Sequence, residues 1–153
     1  SYFEQVLYYA NLRFSKMTGG RYEIVRGESR DKRISAGLEI SVRDNFNNKE
    51  RDISSLSGGE SFQASLALAL GLSDIIQQRN GGIRLDSIFI DEGFGSLDND
   101  KLASAIETLN NLTGNGNRLV GIISHISELK NSIGNKIEVI GTKSGSSIKI
   151  ITD

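Results

Sequence analysis

The stretch Ser87-Ile88-Phe89-Ile90-Asp91-Glu92-Gly93-Phe94-Gly95-Ser96-Leu97-Asp98 decides how this 153-residue chain is read. A short apolar run breaks abruptly on two carboxylates, as a strand buried in a parallel sheet does where it leaves the core. Gly93 and Gly95 let the following loop approach a ligand or neighbouring backbone closely. Asp98 or Asn99 is placed to cap a helix, and the pattern predicts that helix over Asn99 to Leu112. A second apolar run, Leu119 to Ile123, then ends at Ser124-His125. Strand, helix and strand in this order imply parallel pairing with helical cover.

Toward the N-terminus, Leu56-Ser57-Gly58-Gly59-Glu60 opens a long helical pattern from Ser61. Phe62, Leu66, Ala69, Leu70 and Ile76 define its stripe, and Ala64, Ala67 and Gly71 keep other faces small enough for close packing. Asn80-Gly81-Gly82 is expected to end it. Two strands are expected earlier, Tyr22 to Arg26 and the alternating Leu38 to Asp44, separated by a loop from Gly27 to Arg33. Asn45 to Asp52 reads as a polar connection. The first segment, Tyr2 to Met17, reads as a helix whose Phe3, Leu7, Ala10, Phe14 and Met17 recur at heptad spacing. That seam suits either a coiled coil or an amphipathic helix on a core, and Gly19-Gly20 stops it. Past a Gly114-Asn115-Gly116-Asn117 turn and the second apolar strand, a short helix at Ser127 to Ile133 leads to a terminal hairpin. Its strands are Lys136 to Thr142 and Ser147 to Thr152, turning near Ser144-Gly145-Ser146.

Composition narrows the class. At 37% hydrophobic and 24% charged residues, the chain holds too much apolar content for a disordered one, and its length suits a single domain. With no Cys it has no disulfide scaffold, thiolate metal site or cysteine nucleophile, which fits a reducing compartment. No apolar run reaches the ~18 residues of a membrane span, and no signal pattern opens the chain. A net charge of −1 predicts no strong global attraction to nucleic acid or anionic membrane. The chain starts at Ser1 and its single Met is Met17, the expectation for a processed chain or an excised piece.

Each motif admits two readings. Ser57-Gly58-Gly59-Glu60 is either a phosphate-binding helix N-terminus or a plain helix start, with Ser57 as N-cap and Glu60 closing a capping box. Asp91 and Glu92 sit where open α/β sheets place ligands. In a nucleotide hydrolase the first would support Mg²⁺ and the second would orient or deprotonate water. Alternatively, they mark the strand's exit into solvent. His125 is either a structural residue or, after the second strand, a sensor of a γ-phosphate. Ser96 and Asp98 belong to a ligand-approaching loop or to a helix-capping turn.

Their joint order resembles the C-terminal half of an ABC-type P-loop ATPase head. Leu56 to Glu60 match the signature motif, Ile88 to Glu92 the Walker B strand, Gly95 to Asp98 the D-loop and His125 the switch histidine. Asp91 to Asp98, Gly20-Arg21-Tyr22 and Ile123 to Leu129 further resemble the bacterial SbcC family, coiled-coil ATPases of DNA repair that act with the nuclease SbcD. The resemblance implies an α/β fold with a mixed, largely parallel sheet covered by helices. It implies a coiled-coil root helix at residues 1–18 and a head lobe at 19–153. ATP and Mg²⁺ are the implied cofactors. By carry-over, Ser57, Gly58 and Gly59, within a signature motif closed by Glu60, would contact ATP bound to a partner head. Asp91 would support Mg²⁺, Glu92 would act as base, and His125 would contact the γ-phosphate. Ser96 and Asp98 would lie across the head dimer. No Gly-x-x-x-x-Gly-Lys-Ser/Thr loop occurs in the chain. The implied partners are therefore an N-terminal Walker A lobe, a second head, an SbcD-type nuclease and DNA, and the lobe alone is expected to be inactive. A cytoplasmic, nucleoid-associated setting is implied. SMC-like or RecN-like heads without a nuclease partner share the layout, as the alternative reading.

Overall fold

The computed structural model describes residues 1–27, 39–79, 87–114 and 119–152. The expected loop from Gly27 to Arg33, the start of the second strand at Leu38, the helix stop at Asn80-Gly81-Gly82 and the turn at Asn115 to Asn117 fall wholly or largely outside these residues.

Helix α1 (Tyr2–Met17) begins with a capping box between Ser1 and Glu4 and buries Val6, Leu7, Ala10, Phe14 and Met17. Four of the five heptad residues thus face the interior of this chain, with Phe3 packed against it. Strands β1 (Tyr22–Arg26), β2 (Ile40–Asp44) and β3 (Lys49–Asp52) form an antiparallel sheet in that order. The polar connection expected at Asn45 to Asp52 is corrected by β3, whose Lys49-Glu50-Arg51-Asp52 carries no apolar signal. Cross-strand charge supplies what periodicity lacks: Arg43 on β2 pairs with Glu50 at 2.7 Å and with Glu23 at 3.3 Å. At the β1 edge, the Asn11 amide of α1 donates to Ile24 O and accepts from Ile24 N–H, both at 2.8 Å.

Helix α2 (Gly58–Arg79) lies against α1. Their backbones meet at Gly71, where an added Cβ would stand 2.7 Å from both Ala10 N and Val6 O. Arg13 and Asp74 close the same interface with a half-buried ion pair at 2.8 Å. The buried arc of α2 is wider than the expected stripe. It takes in Gln63, Ala64, Ala67, Gly71 and Ile75, while Ala69 is exposed and Ile76 only half-buried. A helix packed on two sides has no narrow seam to read.

Strand β4 (Ser87–Asp91) pairs in parallel with β5 (Leu119–Ile123), connected through α3 (Asn99–Gly114). Helix α4 (Ser127–Ser132) and the hairpin β6 (Lys136–Thr142) and β7 (Gly145–Ile151) complete the chain. Thr142 pairs with Gly145, so the hairpin turns on Lys143-Ser144. The α/β class holds, but among the described residues parallel pairing is confined to β4 and β5, so the sheet structure is mixed rather than largely parallel. Full burial of β4 and β5 is also corrected. Ile88, Ile90, Val120 and Ile122 pack on the core, whereas Phe89 (70% exposed), Leu119 and Ile123 face outward. The hairpin adds the exposed cross-strand pairs Ile137–Ile150 and Val139–Ile148. The continuous apolar runs encode cover on two faces, and the described residues supply it on one.

Candidate functional site

The β4–β5 ladder continues one residue past Asp91, where Glu92 N–H donates to Ile123 O at 3.0 Å. Glu92 itself adopts φ 57° and Gly93 φ 93°, so the chain turns sharply out of the sheet. Only Glu92 and Asn48 combine a side chain with positive φ among the described residues, and Asn tolerates that region far better than Glu. This backbone costs free energy, and its surroundings must hold it. The turn projects the Glu92 carboxylate toward His125, whose Nδ1 lies 3.3 Å from Oε1 and 3.2 Å from Oε2. His125 is positioned two residues beyond β5, where Ser124 Oγ accepts the Ile126 N–H and starts the next turn. Both partners are open to solvent, as is Asp91 at the strand end. The arrangement is an accessible acid–base pair beside a second carboxylate.

The other motif residues gather at the start of α2. Ser57 N–H donates to Glu60 Oε2 at 2.9 Å and Glu60 N–H donates to Ser57 Oγ at 3.3 Å, a complete capping box. Burial opposes ionisation of Glu60, but hydrogen bonds from Ser57 and the Tyr22 hydroxyl outweigh it and hold the carboxyl below its ordinary value. Glu60 is therefore occupied within its own lobe. Tyr22, from the Gly20-Arg21-Tyr22 string, also accepts from Arg51 Nη2 at 3.0 Å. The N–H groups of Gly58 and Gly59 lie in the first helical turn, which provides no internal acceptor for them. Ser57 and Gly58 are exposed, at the positive end of a 22-residue helix.

The loop after Glu92 packs directly on this helix start. A Cβ at Gly59 would meet Ser96 O at 3.1 Å and Leu97 Cδ2 at 3.3 Å, and one at Gly58 would meet Ser96 Cβ at 3.4 Å. Ser96 Oγ donates to Gly93 O at 3.1 Å. Asp98 caps α3 by accepting Lys101 N–H at 2.9 Å and pairs with Lys101 Nζ at 3.0 Å. These Lys101 contacts hold its carboxyl below the ordinary value. The capping readings of Ser57, Glu60 and Asp98 are thus realised, and they leave Ser57 and Gly58 exposed while Gly59 is buried under the Ser96-Leu97 loop.

The structure brings Glu92 and His125 together at the sheet end, and Ser57 to Glu60 together with Ser96 and Asp98 at the helix start. Among the described residues no cluster of three or more His, Asp or Glu side chains forms a metal cage. The donor set suits Mg²⁺ nonetheless, because that ion is commonly held by one or two carboxylates plus substrate phosphates, keeping water in its shell. Hollows of about 340 and 560 Å³ lie along α1 and include none of these residues. Sequence reasoning missed the Tyr22–Glu60 contact and the packing of Phe62 on Gly93, since neither leaves a periodic signal.

The chain is similar to known proteins in sequence and in fold. The family model described as SbcC/RAD50-like, Walker B motif, matches residues 28–111. Over 97% of its length the chain is 51% identical to the SbcC component of the SbcCD nuclease of Vibrio cholerae, and over 90% it is 59% identical to that of Staphylococcus epidermidis. It spans only 15% and 14% of those proteins. Its fold matches a solved structure from work on ATP-driven dimerization and DNA-stimulated activation of SMC ATPases, with a TM-score of 0.72. That match covers 98% of this chain and 85% of the other at 17% identity, a likeness of fold alone. The family match runs through Ser57–Glu60, Asp91–Glu92 and Ser96–Asp98, and on it the chain belongs to the SbcC/RAD50-like family defined by its Walker B motif.

Proposed function

We propose that this chain is the C-terminal half of the ATPase head of an SbcC-type nuclease complex that processes DNA ends and hairpins. The observation that carries the reading is the Glu92–His125 pair at the end of β4 and β5, on the same lobe as the outward-facing start of α2. Two such heads would enclose ATP between a Walker A lobe of one and Ser57 to Gly59 of the other. Bound Mg²⁺, supported by Asp91, would neutralise charge on the phosphates. Glu92 would orient and deprotonate water, and His125 would fix the Glu92 carboxylate and contact the γ-phosphate. Ser96 and Asp98 would line the surface between heads. The apolar outer faces of β4–β5 and β6–β7 would be covered by the Walker A lobe. Head closure would gate an SbcD-type nuclease on DNA, in the cytoplasm and at the nucleoid.

The test uses the full-length protein with its nuclease partner. Glu92→Gln should lower ATP hydrolysis by about 10²-fold or more, the scale of general-base catalysis, while ATP-driven dimerisation persists by light scattering. Ser57→Arg should abolish that dimerisation, and the chain by itself should show no turnover. Undiminished hydrolysis in Glu92→Gln, or a normal dimer in Ser57→Arg, overturns the reading.

A further inference from the structure

We infer that Phe62 is a positioning residue for Glu92, acting through Gly93; this rests on the catalytic role proposed for Glu92. Phe62 lies in the second turn of α2, three residues past Gly59. Its ring edge presses on the backbone just after the carboxylate. A Cβ built at Gly93 would fall 2.4 Å from Phe62 Cε2 and 2.6 Å from Cδ2. The same ring packs against buried Phe94, centroid to centroid 4.7 Å at an interplanar angle of 59°.

The Glu92–Gly93 turn is consequently held from three sides. Ile123 O accepts the Glu92 N–H, Gly93 O accepts the Ser96 hydroxyl, and the Phe62 ring closes the side on which any side chain at 93 would stand. A left-handed glutamate persists only where its surroundings over-determine it. The first two restraints come from the strand pair and its loop. The third comes from another element, the helix that begins just after Ser57. Phe62 is half-buried and packs on the edge of the core, and to that it adds a contact with the main chain of the turn and with Phe94 at its far end. Removing the flat ring leaves Gly93 free to relax, and the Glu92 carboxylate moves off its line with His125. Sub-ångström to ångström misplacement of a reacting group costs about 10- to 100-fold in turnover.

The experiment compares wild type, Phe62→Leu, Gly93→Ala and Glu92→Gln in the full-length protein with its nuclease partner. The readouts are kcat, KM for ATP and ATP-driven dimerisation. Phe62→Leu should lower kcat by about 10- to 100-fold with KM within about twofold and dimerisation intact. Gly93→Ala, which drives a methyl into the same ring, should do likewise. If Glu92→Gln hydrolyses ATP at the wild-type rate, the role proposed for Glu92 is wrong. If Glu92→Gln is inactive while Phe62→Leu and Gly93→Ala turn over normally, the positioning role alone is overturned. Loss of dimerisation in parallel with kcat, including through failure to fold, also overturns it, because a merely structural residue moves both.

Discussion

Gly71→Ala sets two known effects against each other at the α1–α2 interface. Alanine is the better helix former by about 1 kcal/mol, so an open site would gain stability. At Gly71 the new methyl would stand 2.7 Å from Ala10 N and Val6 O and 3.1 Å from Ala10 Cα, all main chain of α1. Backbone cannot swing aside as a side-chain tip can, so α1 must retreat by roughly 0.7 Å to reach ordinary contact. A gap of that size forfeits a quarter to a half of the dispersion attraction across the seam. The seam includes Ala10, Phe14 and Leu70, all essentially fully buried. Because the clash is with main chain, the cost falls in the upper part of the overpacking range, about 2–3 kcal/mol, which exceeds the propensity gain and leaves a net loss of about 1–2 kcal/mol. For a domain of this size that lowers Tm by roughly 2–8 °C. Thermal unfolding followed by circular dichroism measures it, with Gly95→Ala as control because its Cβ would meet only Ile126 Cδ1, at 4.0 Å. A Gly71→Ala protein that melts at or above wild type would refute the claim that backbone contact sets this helix spacing.

The Glu60 carboxyl titrates below its ordinary value of 4.5 in the folded chain. Its contribution is therefore complete above that value and is lost as pH falls through the lowered one. Urea midpoints should show Glu60→Gln weaker than wild type at pH 7 and the two curves converging as pH falls through the lowered value; parallel curves would remove the effect. Asn11→Ala leaves both main-chain groups of Ile24 without their partner and should cost about 2 kcal/mol, with amide exchange at Ile24 accelerated selectively.

The sequence makes some of this architecture legible and hides the rest for physical reasons. Helix α1 follows from its heptad spacing, and the β4–α3–β5 unit from two apolar runs that end at Asp91-Glu92 and Ser124-His125 with a helical pattern between them. Strand β3 escapes because it is held by Arg43, Glu50 and its neighbours rather than by apolar alternation. The outward faces of Phe89, Leu119 and Ile123 are not distinguishable from buried ones by pattern, since a chain's apolar runs record all the cover they are built for. At the site, the identities of Glu92, His125 and Ser57 to Gly59 are legible from motif order. The positive φ of Glu92, the clamp of Phe62 on Gly93 and the Tyr22–Glu60 bond are not. The two contacts join residues 30 or more positions apart, which no local pattern encodes.

Asn11 has a mechanical consequence. A 16-residue helix is a rod of about 24 Å, and a rod resting on a smooth apolar face can roll or slide at little cost. Asn11 removes the roll by engaging both main-chain groups of Ile24 at once, and Arg13 with Asp74 removes the slide. Torque or tension applied to α1 is therefore shared by the β1–β3 sheet and α2. The helix behaves as a lever welded to its fulcrum.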